Sequence, residues 1–120
     1  MRSLFWSAAV GACVAWALSA AGADAEHGKV LFQACAGCHS DARNPLGPSL
    51  KGVFGRQSAA LEDYRYSAPM MRANLVWDED NLKAYIADPQ GKVRGNRMPY
   101  GGIKNPADLD DIIAYLKELK

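Results

Sequence analysis

The chain has few side chains that ligate metals through sulfur or imidazole: three cysteines and two histidines in 120 residues. After residue 23 only Cys35, Cys38, His27 and His39 remain. A structural zinc site usually takes four such ligands, arranged as two spaced pairs. Because no second pair follows His39, the sequence argues against a zinc module.

The chain also has no large excess of charge of either sign. Lys and Arg number 14, while Asp and Glu number 13. Arg2 is the single charge among residues 1–23, so residues 24–120 carry 13 side chains of each sign. A formally neutral domain argues against nucleic-acid binding and against a uniformly basic surface.

Strand patterns are nearly absent, and there is no repeat, low-complexity tract or internal linker. Helices are predicted from Asp24 to about Cys38 and over 67–74, 78–87 and 105–120, with Asp24 and Asn105 as N-caps. Residues 41–58 and 88–104 are rich in Gly and Pro and are predicted to be irregular. These patterns predict an all-α fold of three main helices with short helices and long loops.

Residues 1–23 resemble a secretory signal peptide. Arg2 precedes an apolar run from Leu4 to Leu18, and Ala21-Gly22-Ala23 offers a small-residue cleavage site. The alternative is an uncleaved anchor, because the uncharged stretch up to Ala23 could just cross a bilayer. The expectation is export to a bacterial periplasm, with 24–120 as one domain.

Residues 35–39 read Cys-Ala-Gly-Cys-His, the C-x-x-C-H pattern of covalent c-type haem attachment. Each thiol can add to one vinyl group of the same haem, and His39 is then close enough to ligate the iron. A thioredoxin-like dithiol is the alternative, but it should follow a strand, whereas this motif ends a helical segment. The motif predicts one covalently bound haem c.

A second axial ligand can come from Met70, Met71, Met98 or His27. His27 lies two turns before Cys35 on the same helix and is badly placed to reach the other haem face. Met70 and Met71 fall in a predicted helix, where Met commonly fills a core. Met98 lies in a Gly-rich loop that can present a side chain inward, so Met98 is the predicted ligand.

Residues 26–119 resemble a class I c-type cytochrome of the small soluble bacterial and mitochondrial kind. The matching pieces, in the family's order, are Gly28, Phe32, the haem motif, 47–56, Tyr66-Ser67, Trp77, Leu82, Tyr85, Asp88-Pro89, 95–98, 102–104 and 114–117. The resemblance implies the cytochrome c fold, in which loops wrap one haem that acts as much of the core.

The resemblance also implies roles for individual residues. Pro48 would offer its carbonyl to the ring N–H of His39. Arg56, Tyr66 and Trp77 would hold the haem propionates, and Tyr85 would lie near the sulfur of Met98. Gly28 and Phe32 would pack the first helix across the last.

The chain departs from the family pattern at three positions near the predicted site. The family often has Asn where this chain has Met70, Thr where it has Asn96, and Pro where it has Arg94. These changes affect hydrogen bonding around the haem, so the family's redox potential does not transfer.

A closed His39/Met98 site favours one-electron transfer over catalysis. The predicted function is therefore a monomeric, non-enzymatic carrier between redox proteins, such as a bc1-type complex, a terminal oxidase, a reductase or a dehydrogenase. Docking would use the basic residues around Met98: Lys92, Arg94, Arg97 and Lys104. The alternatives are a dedicated haem subunit of a larger oxidoreductase, and an open-site haem sensor or peroxidase.

Overall fold

The computed structural model describes residues 3, 5, 8–13, 22–40 and 46–120, and its regular elements are helices. Three are long: α1 (Ala25–Ala36), α3 (Glu79–Ala87) and α5 (Pro106–Glu118). Two are short: α2 (Ala68–Arg72) and α4 (Pro89–Lys92). The described part of the chain has no strand, only an isolated bridge between Gln57 and Val76. The all-α prediction is confirmed.

The predicted leader lies mostly outside the described residues, and so does the part of the first predicted loop that spans 41–45. Among the described residues, no helix is both long enough and apolar enough to cross a membrane.

Polar side chains at the N-caps start all five helices. The Asp24 carboxylate accepts hydrogen bonds from two backbone N–H groups of α1, and the Asn105 side chain does the same for α5. Ser67, Asp78 and Asp88 cap the other three helices. Each cap satisfies donors that have no partner inside the helix, which typically contributes about 1 kcal/mol.

Two predicted boundaries were wrong. Residues 88–104 were expected to be irregular throughout, yet α4 forms within them because Asp88 caps a turn whose first residue, Pro89, has a pre-set backbone angle. The first helix ends at Ala36 rather than near Cys38. Beyond it, the backbone N–H groups of Cys38 and His39 both donate to the carbonyl of Cys35, which turns the chain at the haem motif.

Helices α1 and α5 cross in close contact, and Gly28 lies at the crossing. A Cβ added at Gly28 would overlap the carbonyl oxygen of Asp111 and lie 2.8 Å from the Cβ of Tyr115. One turn further along α1, the rings of Phe32 and Tyr115 are 5.1 Å apart between centroids. This is the packing expected from the sequence, and it fixes the end of α1 that carries the cysteines.

The hydrophobic core opens onto a cavity. Ten described hydrophobic residues are buried: Val53, Met70, Trp77, Leu82, Ile86, Val93, Ile103, Ile112, Ile113 and Leu116. All but Val93, Ile103 and Ile113 also line the cavity. The helices therefore do not close a core by themselves, and the cavity lies where the middle of that core would be.

We expect Gly28→Ala to destabilise the protein by about 1–3 kcal/mol, because the added methyl group would force α1 away from α5. Gly101→Ala is the matched control, since a Cβ at Gly101 meets no atom within 4 Å. Urea unfolding of the haem-loaded protein measures both effects. Equal midpoints for the two variants would show that the crossing tolerates a side chain.

Candidate haem-binding cavity

The cavity has a volume of about 390 Å³ and draws its lining from all parts of the described domain. The lining comes from the end of α1, the loops around residues 46–59 and 96–100, and side chains of α2, α3 and α5. All nine residues singled out from the sequence line it: Cys35, Cys38, His39, Pro48, Arg56, Tyr66, Trp77, Tyr85 and Met98. Residues up to 63 positions apart in sequence are thus brought together around one space.

The two thiols lie at the end of α1, where the helix gives way to a turn. Cys35 belongs to the last helical turn and is partly buried, while Cys38 follows the helix and is exposed. Burial raises the pKa of the Cys35 thiol. Neither cysteine forms a disulfide, so both sulfur atoms are available for thioether bonds.

The ring of His39 is oriented by a hydrogen bond. Its Nδ1 atom lies 2.7 Å from the carbonyl oxygen of Pro48. A carbonyl can only accept, so Nδ1 carries the proton and the lone pair is left on Nε2. Burial lowers the pKa of His39, which favours this neutral ring. The imidazole is therefore in the form that ligates iron.

Gly47 makes room for that ring. Its backbone N–H donates to the carbonyl of Cys38 at 2.8 Å, which draws the loop against the haem motif. A Cβ at this position would lie 2.7 Å from Cε1 of His39 and 2.8 Å from Nδ1. Only glycine therefore lets the loop place the Pro48 carbonyl beside the histidine.

The four candidates for the second axial position are placed differently. Met98 is partly buried, in a loop that lines the cavity. Met70 also lines the cavity, from α2, and is buried, whereas Met71 is 64% exposed and is not among the lining residues. His27 is held elsewhere, because its Nδ1 lies 2.8 Å from the carboxylate of Asp111. The structure thus leaves two methionines in reach of the cavity.

The polar lining is cationic or neutral. Arg56 and Arg97 line the cavity, and no carboxylate does so among the described residues. Two of the five N–H groups of Arg56 donate to the carbonyls of Ser49, at 2.9 Å, and Lys51, at 3.2 Å. The remaining donors can serve an anionic group such as a haem propionate.

The aromatic residues of the predicted site also face the cavity. The hydroxyl of Tyr66 accepts a hydrogen bond from the backbone N–H of Leu61 at 3.3 Å. Trp77 and Tyr85 contact each other with ring centroids 5.1 Å apart. Burial raises the pKa of Tyr85 to about 12, so this tyrosine is a neutral hydroxyl at physiological pH.

Sequence reasoning missed two aromatic residues of the lining. Tyr64 and Tyr100 contribute rings, and the Tyr64 hydroxyl also donates to the carbonyl of Leu46 at 3.1 Å. Asn96, which the sequence marked as a departure from the family pattern, contributes a buried amide. A usable signal existed for Tyr100, since it lies two residues from Met98 in the Gly-rich loop. No local pattern marks Tyr64.

These features fit a covalently bound haem. The cavity is mostly apolar, it holds two free thiols and a neutral imidazole at one helix end, and its charged lining is positive. The two thiols can form thioether bonds, the imidazole can ligate the iron, and the positive lining can compensate the charge of the haem propionates. The fold and the site together define a c-type haem protein.

Comparison with known proteins gives the same class. A family model described as cytochrome c matches residues 25–120, so the chain belongs to the cytochrome c family and carries haem c. It is 47% identical over 90 residues to cytochrome c2 iso-2 of Magnetospirillum fulvum, covering 73% of this chain and 94% of the relative. It is 41% identical over 98 residues to cytochrome c-550 of Nitrobacter winogradskyi, covering 79% and 90%.

A solved structure, that of cytochrome cH from Methylobacterium extorquens, is also similar. The TM-score is 0.75 and the identity 42%, over 79% of this chain and 98% of that one. The resemblance, the fold and the cofactor inferred from the sequence are confirmed.

Proposed function

We propose that the chain is a one-electron carrier in which His39 and Met98 ligate the haem iron. The observation that carries this proposal is that a neutral, hydrogen-bonded imidazole and a loop methionine line the same apolar cavity as the two thiols. The haem supplies an iron that alternates between ferrous and ferric states. A site with both axial positions filled favours electron transfer, and a thioether ligand raises the potential.

The residues of the chain would contribute by holding this site still. Pro48 keeps the lone pair of His39 directed away from its own carbonyl, so the ligand does not reorient between oxidation states. Arg56, Tyr66 and Trp77 would hold the propionates. Trp77 is 7% exposed and lines the cavity, and its indole N–H is a donor from which a propionate oxygen could accept.

The cavity lining supports a carrier over an enzyme or sensor. Peroxide or gas chemistry on haem needs an open iron position and, for acid–base work, a nearby proton donor and acceptor. Among the described lining residues, His39 is the single imidazole and there is no carboxylate. The relatives matched over 94% and 90% of their length are named as cytochromes c2 and c-550, which favours a carrier over a dedicated haem subunit of a larger oxidoreductase.

Docking to redox partners would use the four basic side chains around Met98: Lys92, Arg94, Arg97 and Lys104. All four are exposed, and none has a carboxylate partner among the described residues. Two are anchored to backbone carbonyls: Lys104 donates to Ala87 at 2.6 Å, and Arg97 donates to Arg65 at 3.1 Å. Such a surface suits a transient, salt-sensitive contact with an acidic patch on a bc1-type complex, oxidase, reductase or dehydrogenase.

Export to the periplasm completes the proposal, with the carrier working there as a monomer. The family match begins at residue 25, just after the proposed leader. The backbone nitrogen of Asp24 lies 2.7 Å from a carboxylate oxygen of Asp111. Cleavage after Ala23 would make that nitrogen an ammonium group, which Asp111 is placed to receive.

We expect Met98→Ala to abolish the weak sulfur-to-iron charge-transfer band at the red edge of the ferric visible spectrum. Met70→Leu is the matched control, because Met70 lines the same cavity but should only fill space. Absorption spectra of the two ferric variants at neutral pH show which methionine is the ligand. Survival of the band in Met98→Ala, or its loss in Met70→Leu, would move the ligand to Met70.

We expect reversal of the charge at Arg94 (Arg94→Glu) to slow oxidation of the ferrous protein by ferricyanide about threefold to tenfold at low ionic strength, since the anion would lose attraction near the haem edge. Lys29→Glu changes the net charge equally, from an exposed site on α1 outside the cavity lining. Stopped-flow rates should differ between the variants and converge at high salt. Equal rates at low salt would show that only net charge matters.

We expect the mature haem protein, expressed with its leader in a host that matures c-type cytochromes, to begin at Asp24 and to occur in the periplasmic fraction. Small residues at 21 and 23 are the feature that a signal peptidase cleaves after. N-terminal sequencing and intact mass measure this directly. A chain that retains the leader and sediments with membranes would establish the uncleaved anchor instead.

A further inference from the structure

Asn96 is a buried amide whose hydrogen bonds all go to the backbone near Met98. Its side chain is 8% exposed. Nδ2 donates to the carbonyls of Pro89, at 2.9 Å, and Val93, at 2.8 Å. Oδ1 accepts from the backbone N–H of Met98 at 2.7 Å. Since carbonyls only accept and N–H groups only donate, this is the one orientation of the amide that satisfies every partner.

These contacts join two elements. Pro89 begins α4 and Val93 is the capping residue just after its last residue, whereas Met98 lies in the irregular loop beyond. The Asn96 side chain therefore ties the N–H of the proposed ligand residue to both ends of a helical turn. Both N–H groups of the amide are used, so the side chain cannot rotate without breaking a buried bond.

Gln90 adds a second tie from the same helical turn. Its Nε2 donates to the backbone carbonyl of Asn96 at 2.9 Å, and its Oε1 accepts from the backbone N–H of Gly95 at 3.0 Å. Gly95 has a φ of +86°, which reverses the chain direction just before Asn96. The loop that carries Met98 is thus held by two side-chain amides, one buried and one exposed.

The geometry points to Asn96 as a positioning residue that holds Met98 on the haem iron and so keeps the sixth position closed. This inference rests on the proposed ligation by Met98. The amide fixes the backbone at the ligand residue itself, so its loss frees that loop while the covalent haem and His39 stay in place.

A purely structural role for Asn96 predicts a different result. A buried amide that only supports the fold would lower the stability of the whole domain when removed, and the loop would not open more often in the folded state. The two roles predict different rates of cyanide binding to the ferric iron, because Met98 must leave the iron before cyanide can bind.

The experiment measures cyanide binding to the ferric, haem-loaded protein by stopped flow, in the range where the rate no longer depends on cyanide concentration. We expect Asn96→Ala to raise this limiting rate about tenfold to a hundredfold, because buried hydrogen bonds that hold the closed loop are lost. Gln90→Ala, which removes the exposed tie only, should give a smaller increase.

Asn105→Ala is the matched control. The Asn105 side chain also accepts from two backbone N–H groups, at 2.9 Å and 3.4 Å, but it caps α5 rather than the Met98 loop. It should shift the urea midpoint and leave the cyanide rate unchanged. Should Asn96→Ala fail to fold, the limiting cyanide rates of Gln90→Ala and Asn105→Ala are compared instead. A higher rate in Gln90→Ala alone would support the inference.

Two results would overturn the inference, and they are distinguishable. Wild-type cyanide rates in both Asn96→Ala and Gln90→Ala, with the sulfur-to-iron band present in the wild type, would reject the role of Asn96 and leave Met98 as the ligand. Absence of that band from the wild type would reject the proposed ligation and this inference with it.

Discussion

The fold depends on the haem c that the chain carries, because most of the buried core lines the cavity proposed to hold it, beside Cys35 and Cys38. Without that group, the apolar wall of a cavity of about 390 Å³ would face solvent, and the buried side chains around it would lose a packing partner. A haem that could dissociate would leave the domain with an open core, and covalent attachment of haem c removes that route to unfolding.

The dependence of the fold on its haem also explains why irregular loops can carry both proposed axial ligands. A loop is normally the mobile part of a domain. Here each ligand residue is held by a side-chain hydrogen bond to the backbone: His39 to the carbonyl of Pro48, and Met98, through its own N–H, to Asn96. Regular structure is not needed where such bonds fix the chain, and a loop can follow the edge of a flat group more closely than a helix can.

The features that were predicted correctly are those set by residues close together in the sequence. The haem motif and the caps at Asp24 and Asn105 each depend on residues within a few positions of one another, and the structure has both caps. The turn α4 was missed because Gly and Pro content outweighed a single capping residue. The cavity role of Tyr64 and the partners of Arg56 depend on contacts between distant segments, which no spacing rule encodes.

The departures from the family pattern change the character of the site together. Where the family often has an amide, this chain has Met70, which is 7% exposed and lines the cavity. Where the family has threonine, this chain has Asn96, whose amide is fully engaged by the backbone. A polar group is thus lost from the cavity wall, and in the loop that carries Met98 a hydroxyl is replaced by an amide. The redox potential of a haem iron responds to the polarity of the cavity wall, whereas retention of Met98 as a ligand would respond to the rigidity of its loop. The two substitutions therefore act on different properties of the same proposed iron site.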